Sequence, residues 1–249
     1  MSAPKQLNIE AGRLFFRFRN AIFPILFVLF LTTMRPTHLF SPALDRWIVV
    51  CGFLSVFSGQ MVRLTTIGFD YIDRGGKKGR PAASRLVTGG IYAHTRNPMY
   101  LGNILIASGF ALVSSSLLAY LTIIPFFLYV YQAITCAEED FLVKEFGTEY
   151  ADYCARVPRF FPDPRGLFRT MSSGTYDWRK AVRHDLSTIA WVSIVLAAIP
   201  LWRAYFLGGP EAASGLLLPT VGAEGGILCL YAALVYFKRR KLFFYPASH

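Results

Sequence analysis

A chain of 249 residues that is 54% hydrophobic and 16% charged, with a mean hydropathy of +0.40, lacks the polar surface needed to coat a soluble globule. Disorder is excluded as well, because 16% of the residues are aromatic. The net charge of +11 on so apolar a chain reads as basic loops beside anionic lipid, with no nucleic acid as partner.

The first apolar run begins near Ala21, behind Arg13, Arg17 and Arg19, and reaches Met34, with a possible extension to Phe40. It leads into the body of the chain, so it is read as a membrane span and not as a cleavable signal. A second run covers Leu44 to Thr66, with Trp47 as an interfacial anchor. A basic polar segment, Gly68 to Asn97, follows. The apolar block from Pro98 to Ala137 is too long for one crossing, and Ser114-Ser115-Ser116 predicts two helices joined by a tight turn.

A second polar segment runs from Glu138 to Asp185. Two further spans are expected over Ser187–Leu207 and about Leu216–Phe237. Pro219, Glu224 and Gly225-Gly226 predict an interruption in the last, with Glu224 either at a late helix start or as an inward-facing polar group. The fold class is thus an all-α integral-membrane protein of about six transmembrane helices. In this arrangement 23 of the 26 Lys and Arg residues fall on one side, leaving Arg35, Arg46 and Arg203 on the other. The positive-inside rule then puts both termini and both polar segments in the cytoplasm. Three parts are expected: an N-terminal helix pair (1–66), a core of two polar segments flanking a helix pair (67–165), and a C-terminal linker with two helices (166–249).

The cysteines, Cys51, Cys136, Cys154 and Cys229, are far apart, with no CxxC and no His at ligand spacing, which argues against a disulfide framework or a zinc site. The chemistry gathers in the polar segments. The first ends in Thr88-Gly-Gly-Ile-Tyr-Ala-His-Thr-Arg-Asn-Pro-Met-Tyr-Leu-Gly102. Pro98 suits a first helical turn and Asn97 an N-cap. Such a start offers N–H groups and a positive dipole end to an anion, and Gly89, Gly90 and Gly102 permit close backbone approach. A well-capped helix start alone would have the same sequence. In the second segment, Glu138-Glu139-Asp140 lies where a helix leaves the membrane, with Leu142 and Phe146 at helical spacing from the glutamates.

The spacing Gly90-Ile-Tyr92, Arg96-Asn-Pro98-x-Tyr100-Leu-Gly102, then Glu138-Glu139-x-x-Leu142, Phe146-Gly147, Tyr150, Tyr153 and Val157-Pro-Arg159 resembles the isoprenylcysteine carboxyl methyltransferase family. The related phospholipid N-methyltransferases carry a similar arrangement. The resemblance covers roughly Arg80 to Pro162. It implies an integral-membrane enzyme using S-adenosylmethionine without a Rossmann-type domain, in keeping with the lack of a GxGxxG motif.

By position, the resemblance assigns cofactor binding to Gly90, Tyr92, Arg96, Asn97, Pro98, Tyr100, Gly102, Glu138 and Glu139. Tyr150, Tyr153 and Arg156 would close over the cofactor or meet the substrate, with no metal. Asn97 departs from the His of many relatives and cannot titrate near neutral pH. The lipophilic acceptor would arrive from the bilayer among membrane lipids. A carboxylate acceptor would be matched by a cation such as Arg156 or Arg159, with Arg156 the chosen residue, whereas an amine would need a base. The last two helices would line a substrate portal or support an oligomer. Competing readings are a membrane scaffold or transporter and a sterol-type reductase.

Overall fold

The computed structural model describes residues 6–18, 26, 33–70 and 85–240, and these are mostly helical with no strand among them. Residues 6–18 form α1. It is followed by α2 (Pro42–Asp70), a 3₁₀ turn (Gly90–Ala93), α3 (Pro98–Ser114), α4 (Leu117–Arg156), the short α5 (Leu167–Ser173) and α6 (Trp178–Arg239). Three of them, α2, α4 and α6, are long and apolar enough to cross a membrane, and α3 is a shorter apolar helix. Most of the expected first span lies outside the described residues, and residues 34–41, its proposed extension, are not helical.

The helix pair predicted around Ser114–Ser116 is present. Ser115 adopts the left-handed conformation (φ 53°, ψ 38°) and ends α3. Such a turn is strained for a residue with a Cβ, and it is held from outside. Thr37 N donates to Ser115 O at 2.8 Å, and Arg203 donates to Val113 O and Ser115 Oγ, each at 2.5 Å.

Glycines bring α2 and α3 into close contact. Gly52 and Gly59 of α2 face Gly109 and Gly102 of α3, each pair seven residues apart as antiparallel helices require. A Cβ on Gly59 would lie 2.5 Å from Gly102 O, and one on Gly109 would lie 2.6 Å from Gly52 O. Without hydrophobic drive between helices in lipid, such small-residue contacts supply dispersion at short range. Val56 and Ile106 pack with Val192, and Val113 packs with Val195 and Ile199, so the first half of α6 covers this pair.

The helix α6 has 62 residues but is not straight. Gly209 takes φ 78° and ψ −177°, a backbone state essentially confined to glycine, directly before Pro210. Lys238 Nζ reaches Arg183 O at 2.8 Å, although a straight helix would separate them by roughly 80 Å at 1.5 Å per residue. The chain therefore folds back as a hairpin of two spans. The two expected spans exist and the chain reverses between them at Gly209, whereas the interruption expected within the last span is absent. Helix geometry continues through Pro219, half-buried Glu224 and Gly225-Gly226. Pro210 lacks a backbone N–H, which costs nothing at a helix start, while Pro219 lies within a helix of the kind membranes tolerate.

Polar contacts divide between the two ends of the bundle. Arg13 meets Asp140 at 3.0 Å, and Arg96, Arg183 and Lys238 lie at that same end. Arg203 and Asp45 lie at the other, where Arg35 stacks over Phe206.

Candidate functional site

Two loop segments are laced together at the Arg96 end of the bundle. Val157, before Pro158, is extended (φ −115°, ψ 126°), as a residue preceding proline must tend to be, and this ends α4. The chain then runs beside residues 92–97. Arg96 N donates to Pro158 O at 2.9 Å, Asn97 Nδ2 to Arg159 O at 3.0 Å, and Thr95 Oγ1 to Phe160 O at 2.8 Å. Asp163 N donates to His94 O at 2.9 Å, and the His94 ring bridges Asp163 O and Thr170 Oγ1. Tyr153 OH donates to Tyr92 O at 2.7 Å. The lacing brings the Arg-Asn-Pro start of α3 against the acidic part of α4.

At the centre stands Glu139, 17% exposed, held by two arginines. Arg96 NH1 donates to its Oε1 at 2.8 Å; Arg159 Nε donates to Oε1 at 3.0 Å and its NH2 to Oε2 at 2.5 Å. The same Arg96 NH1 lies 2.8 Å from Cys154 Sγ. Beside this group, Tyr100 OH donates to Glu138 Oε1 at 2.7 Å. Burial is the largest single influence on Arg96 and opposes its charge, but Glu139, Cys154 and Tyr150 together outweigh it and hold the guanidinium above its ordinary pKa. Arg96 Nε is buried with no hydrogen-bond partner, a donor in want of an acceptor.

The helix α4 breaks at Gly147 (φ 54°, ψ −123°), so Tyr150 belongs to a short second helix beyond the membrane-spanning part. Burial first, then the Glu139 charge, push its phenol well above the ordinary tyrosine value. It keeps its proton at neutral pH and acts as a donor.

The structure thus gathers Arg96, Asn97, Pro98, Tyr100, Glu138, Glu139 and Tyr150 in one place. Several expectations need correction. Asn97 occupies the N-cap position but makes no cap, because its amide is drawn to Arg159 O. At Gly102 a Cβ would lie 2.7 Å from Arg63 Cγ and 2.8 Å from Gly59 O, so this glycine serves α2–α3 packing. Gly90 (φ 57°) and buried Tyr92 shape the 3₁₀ turn, and Tyr153 ties that turn to α4. Arg156 is exposed, its Nε donating to Asp152 O of its own helix at 3.2 Å, and Arg159 holds the place beside Glu139.

A second polar cluster was not foreseen. Arg63 of α2 donates to both carboxylate oxygens of Asp185 in α6, to Asn103 Oδ1 of α3 and to Thr188 Oγ1, and Gln60 Nε2 donates to Asp185 Oδ2 at 2.6 Å. Asp185 is 1% exposed and Arg63 9%. The signal lay in their positions, each at the edge of an apolar run, where a charge reads equally as a loop residue. Among the described residues no group of three or more His, Cys, Asp or Glu side chains is placed to hold a metal ion.

Residues 47–149 match the model of the phospholipid methyltransferase family and carry a domain of that membrane methyltransferase superfamily. The cobalt-zinc-cadmium resistance protein CzcN of Cupriavidus metallidurans is 36% identical over 121 residues, 47% of this chain and 55% of that protein. The nickel-cobalt-cadmium resistance protein NccN of Alcaligenes xylosoxydans xylosoxydans is 32% identical over 125 residues, 49% of this chain and 57% of that protein. The chain thus spans a little over half the length of these curated relatives. No solved structure matches it.

Proposed function

We propose that this chain, with its phospholipid methyltransferase domain, is an S-adenosylmethionine-dependent methyltransferase of the membrane, working on a lipophilic acceptor of the isoprenylcysteine carboxylate type. The observation that carries the reading is the Arg96–Glu139–Arg159 cluster with the buried, unpartnered Nε of Arg96 beside the start of α3. Two arginines around one carboxylate leave a net positive charge, and the first turn of α3 has no side-chain cap to neutralise its dipole. That combination fits the carboxylate of the methyl donor. Arg96 and the α3 start would hold that carboxylate, and Glu138 would accept from the donor's ammonium or ribose hydroxyls. When bound, S-adenosylmethionine supplies an electrophilic methyl group on a sulfonium.

The remaining work of the chain is alignment and exclusion of water. Arg159, 35% exposed, is reachable by an acceptor anion in a way that Arg96 at 12% is not. A carboxylate is already a nucleophile and needs no base. This agrees with a site whose Glu139 is engaged by two guanidinium groups and whose Tyr150 retains its proton. Positive-inside charge bias puts this end of the bundle in the cytoplasm.

The match to a phospholipid methyltransferase model favours a second reading, N-methylation of phosphatidylethanolamine. The test is donor binding by the detergent-purified protein, followed by turnover on a prenylcysteine analogue and, separately, on phosphatidylethanolamine. Saturable binding and turnover on the analogue are expected. Turnover on the amine lipid alone would replace the acceptor assignment. Absence of donor binding would overturn the enzyme reading, and binding of NADPH in its place would select a reductase.

A further inference from the structure

Adjoining the methyl-transfer site, which it meets at Cys154, the end of α4 and the segment after it build an open cleft of 560 Å³ whose lining includes Arg156, Val157, Pro158, Phe161, Asp163 and Arg165. Its two guanidinium groups outnumber the one carboxylate, leaving a single net positive charge. Asp163 is partly engaged, its Oδ1 accepting from Arg165 N at 3.0 Å. Arg156 is fixed at its root by the Nε bond to Asp152 O. The cleft therefore presents a localised positive site matched to an ion of charge −1.

Its surroundings identify what brings that ion. Phe161 is 81% exposed and Phe168 85%, among the most exposed large apolar side chains of the described residues. Such rings stand in water only at a cost that grows with the apolar surface exposed. They lie seven residues apart with Arg165 and exposed Arg169 between and beside them. The same segment then meets the end of α2. Tyr176 packs on Phe69 with ring centroids 5.1 Å apart, and Asp177 N donates to Gly68 O at 3.1 Å. Half-exposed Tyr176 and Trp178 follow, aromatic residues of the kind that mark the membrane–water boundary. Apolar rings, arginines and boundary aromatics at the end of a membrane-spanning helix are the ingredients of a segment that lies in the interface.

We infer that this cleft is a binding site for the headgroup of an anionic glycerophospholipid. Arg156 and Arg165 take the single phosphodiester, and Phe161 and Phe168 lie against the upper acyl chains. The assignment is independent of which acceptor is methylated.

The full-length protein in mixed phosphatidylcholine–phosphatidylglycerol nanodiscs, with retained lipid read by native mass spectrometry, tests it. Each arginine near the surface is worth about a fivefold preference for anionic lipid, so the wild type should retain phosphatidylglycerol over phosphatidylcholine by about ten- to thirtyfold. Arg156→Gln with Arg165→Gln should bring the two lipids close to parity, whereas equal substitution at exposed Arg239 should not. An unchanged preference in the double variant overturns the site. Displacement of phosphatidylglycerol by soluble glycerol phosphate, at concentrations comparable to the lipid, would make it a site for free anions and overturn the lipid assignment. Independently of that variant's folding, a single Phe168→Trp change should add indole fluorescence, read as the difference from the wild type with its four tryptophans, that chain-brominated lipid quenches. A tryptophan there that responds only to an aqueous quencher refutes the placement in the interface.

Discussion

Replacing Arg96 by Lys separates the charge of this residue from its geometry. One lysine nitrogen can take over the role of NH1, which pairs with Glu139 at 2.8 Å, and the cation at the cluster is preserved. It cannot also supply the second, buried N–H at Nε, the atom that has no partner within the protein. The variant should therefore lose one charge-assisted hydrogen bond to the donor carboxylate, roughly 1.5–3 kcal/mol. At about 1.4 kcal/mol per decade, the dissociation constant for S-adenosylmethionine should rise about ten- to a hundredfold. Titration calorimetry in detergent reads this directly, with the thermal midpoint recorded beside it to confirm that the fold survives. Wild-type affinity in Arg96→Lys would show that Nε does not face the donor, and the anion site at the start of α3 would have to be abandoned.

Glu139→Gln should leave Arg96 and Arg159 facing each other without their shared anion. Because Arg159 is 35% exposed, water compensates in part, and a loss of about 2 kcal/mol, measured as kcat/KM on the favoured acceptor, is expected. Asp185→Asn strands the Arg63 charge in a dry site and should lower unfolding stability by roughly 3–5 kcal/mol, read as a fall in thermal midpoint. Gly102→Ala should cost about 1–3 kcal/mol by forcing α2 and α3 apart, with no specific change in donor affinity once folded. Tyr150 holds its proton more tightly when folded than unfolded. Its contribution to stability is complete below the unfolded value near 10 and is lost as pH rises from there toward the folded value. Thermal midpoints should fall above about pH 10 in the wild type, and less steeply in Tyr150→Phe.

Much of this architecture could be read from composition and spacing. Apolar runs marked the spans, and the triple serine marked the α3–α4 turn because no other run of consecutive polar residues interrupts that block. The acidic end of α4 and the Arg-Asn-Pro start of α3 met as their spacing implied. What escaped was side-chain direction beyond the last helical residue. Arg156 and Arg159 are three apart, so on a continuing helix either would serve. Extended Val157 and Pro158 end the helical register, turning Arg159 inward and leaving Arg156 out. The hairpin break falls between the two expected spans, at Gly209, but the interruption expected at Pro219 to Gly226 is absent because glycine and proline are poor punctuation in a membrane, where Pro200 and Pro219 are accommodated. The Arg63–Asp185 pair could not be read at all, since pairing across 122 residues leaves no local pattern.

That separation has a consequence for how the molecule comes into being. Arg63 enters the bilayer with α2, long before its carboxylate exists. At about 5–20 residues per second of synthesis, the interval before residue 185 is made is on the order of ten seconds. Asn103, only 40 residues behind, reaches the guanidinium first and can shelter it in the meantime. The nascent protein thus carries a cation awaiting its counter-ion through most of its assembly. The C-terminal hairpin inserts into a position already marked by that charge, so truncation before residue 185 should send the product to membrane quality control even though residues 47–149 are complete.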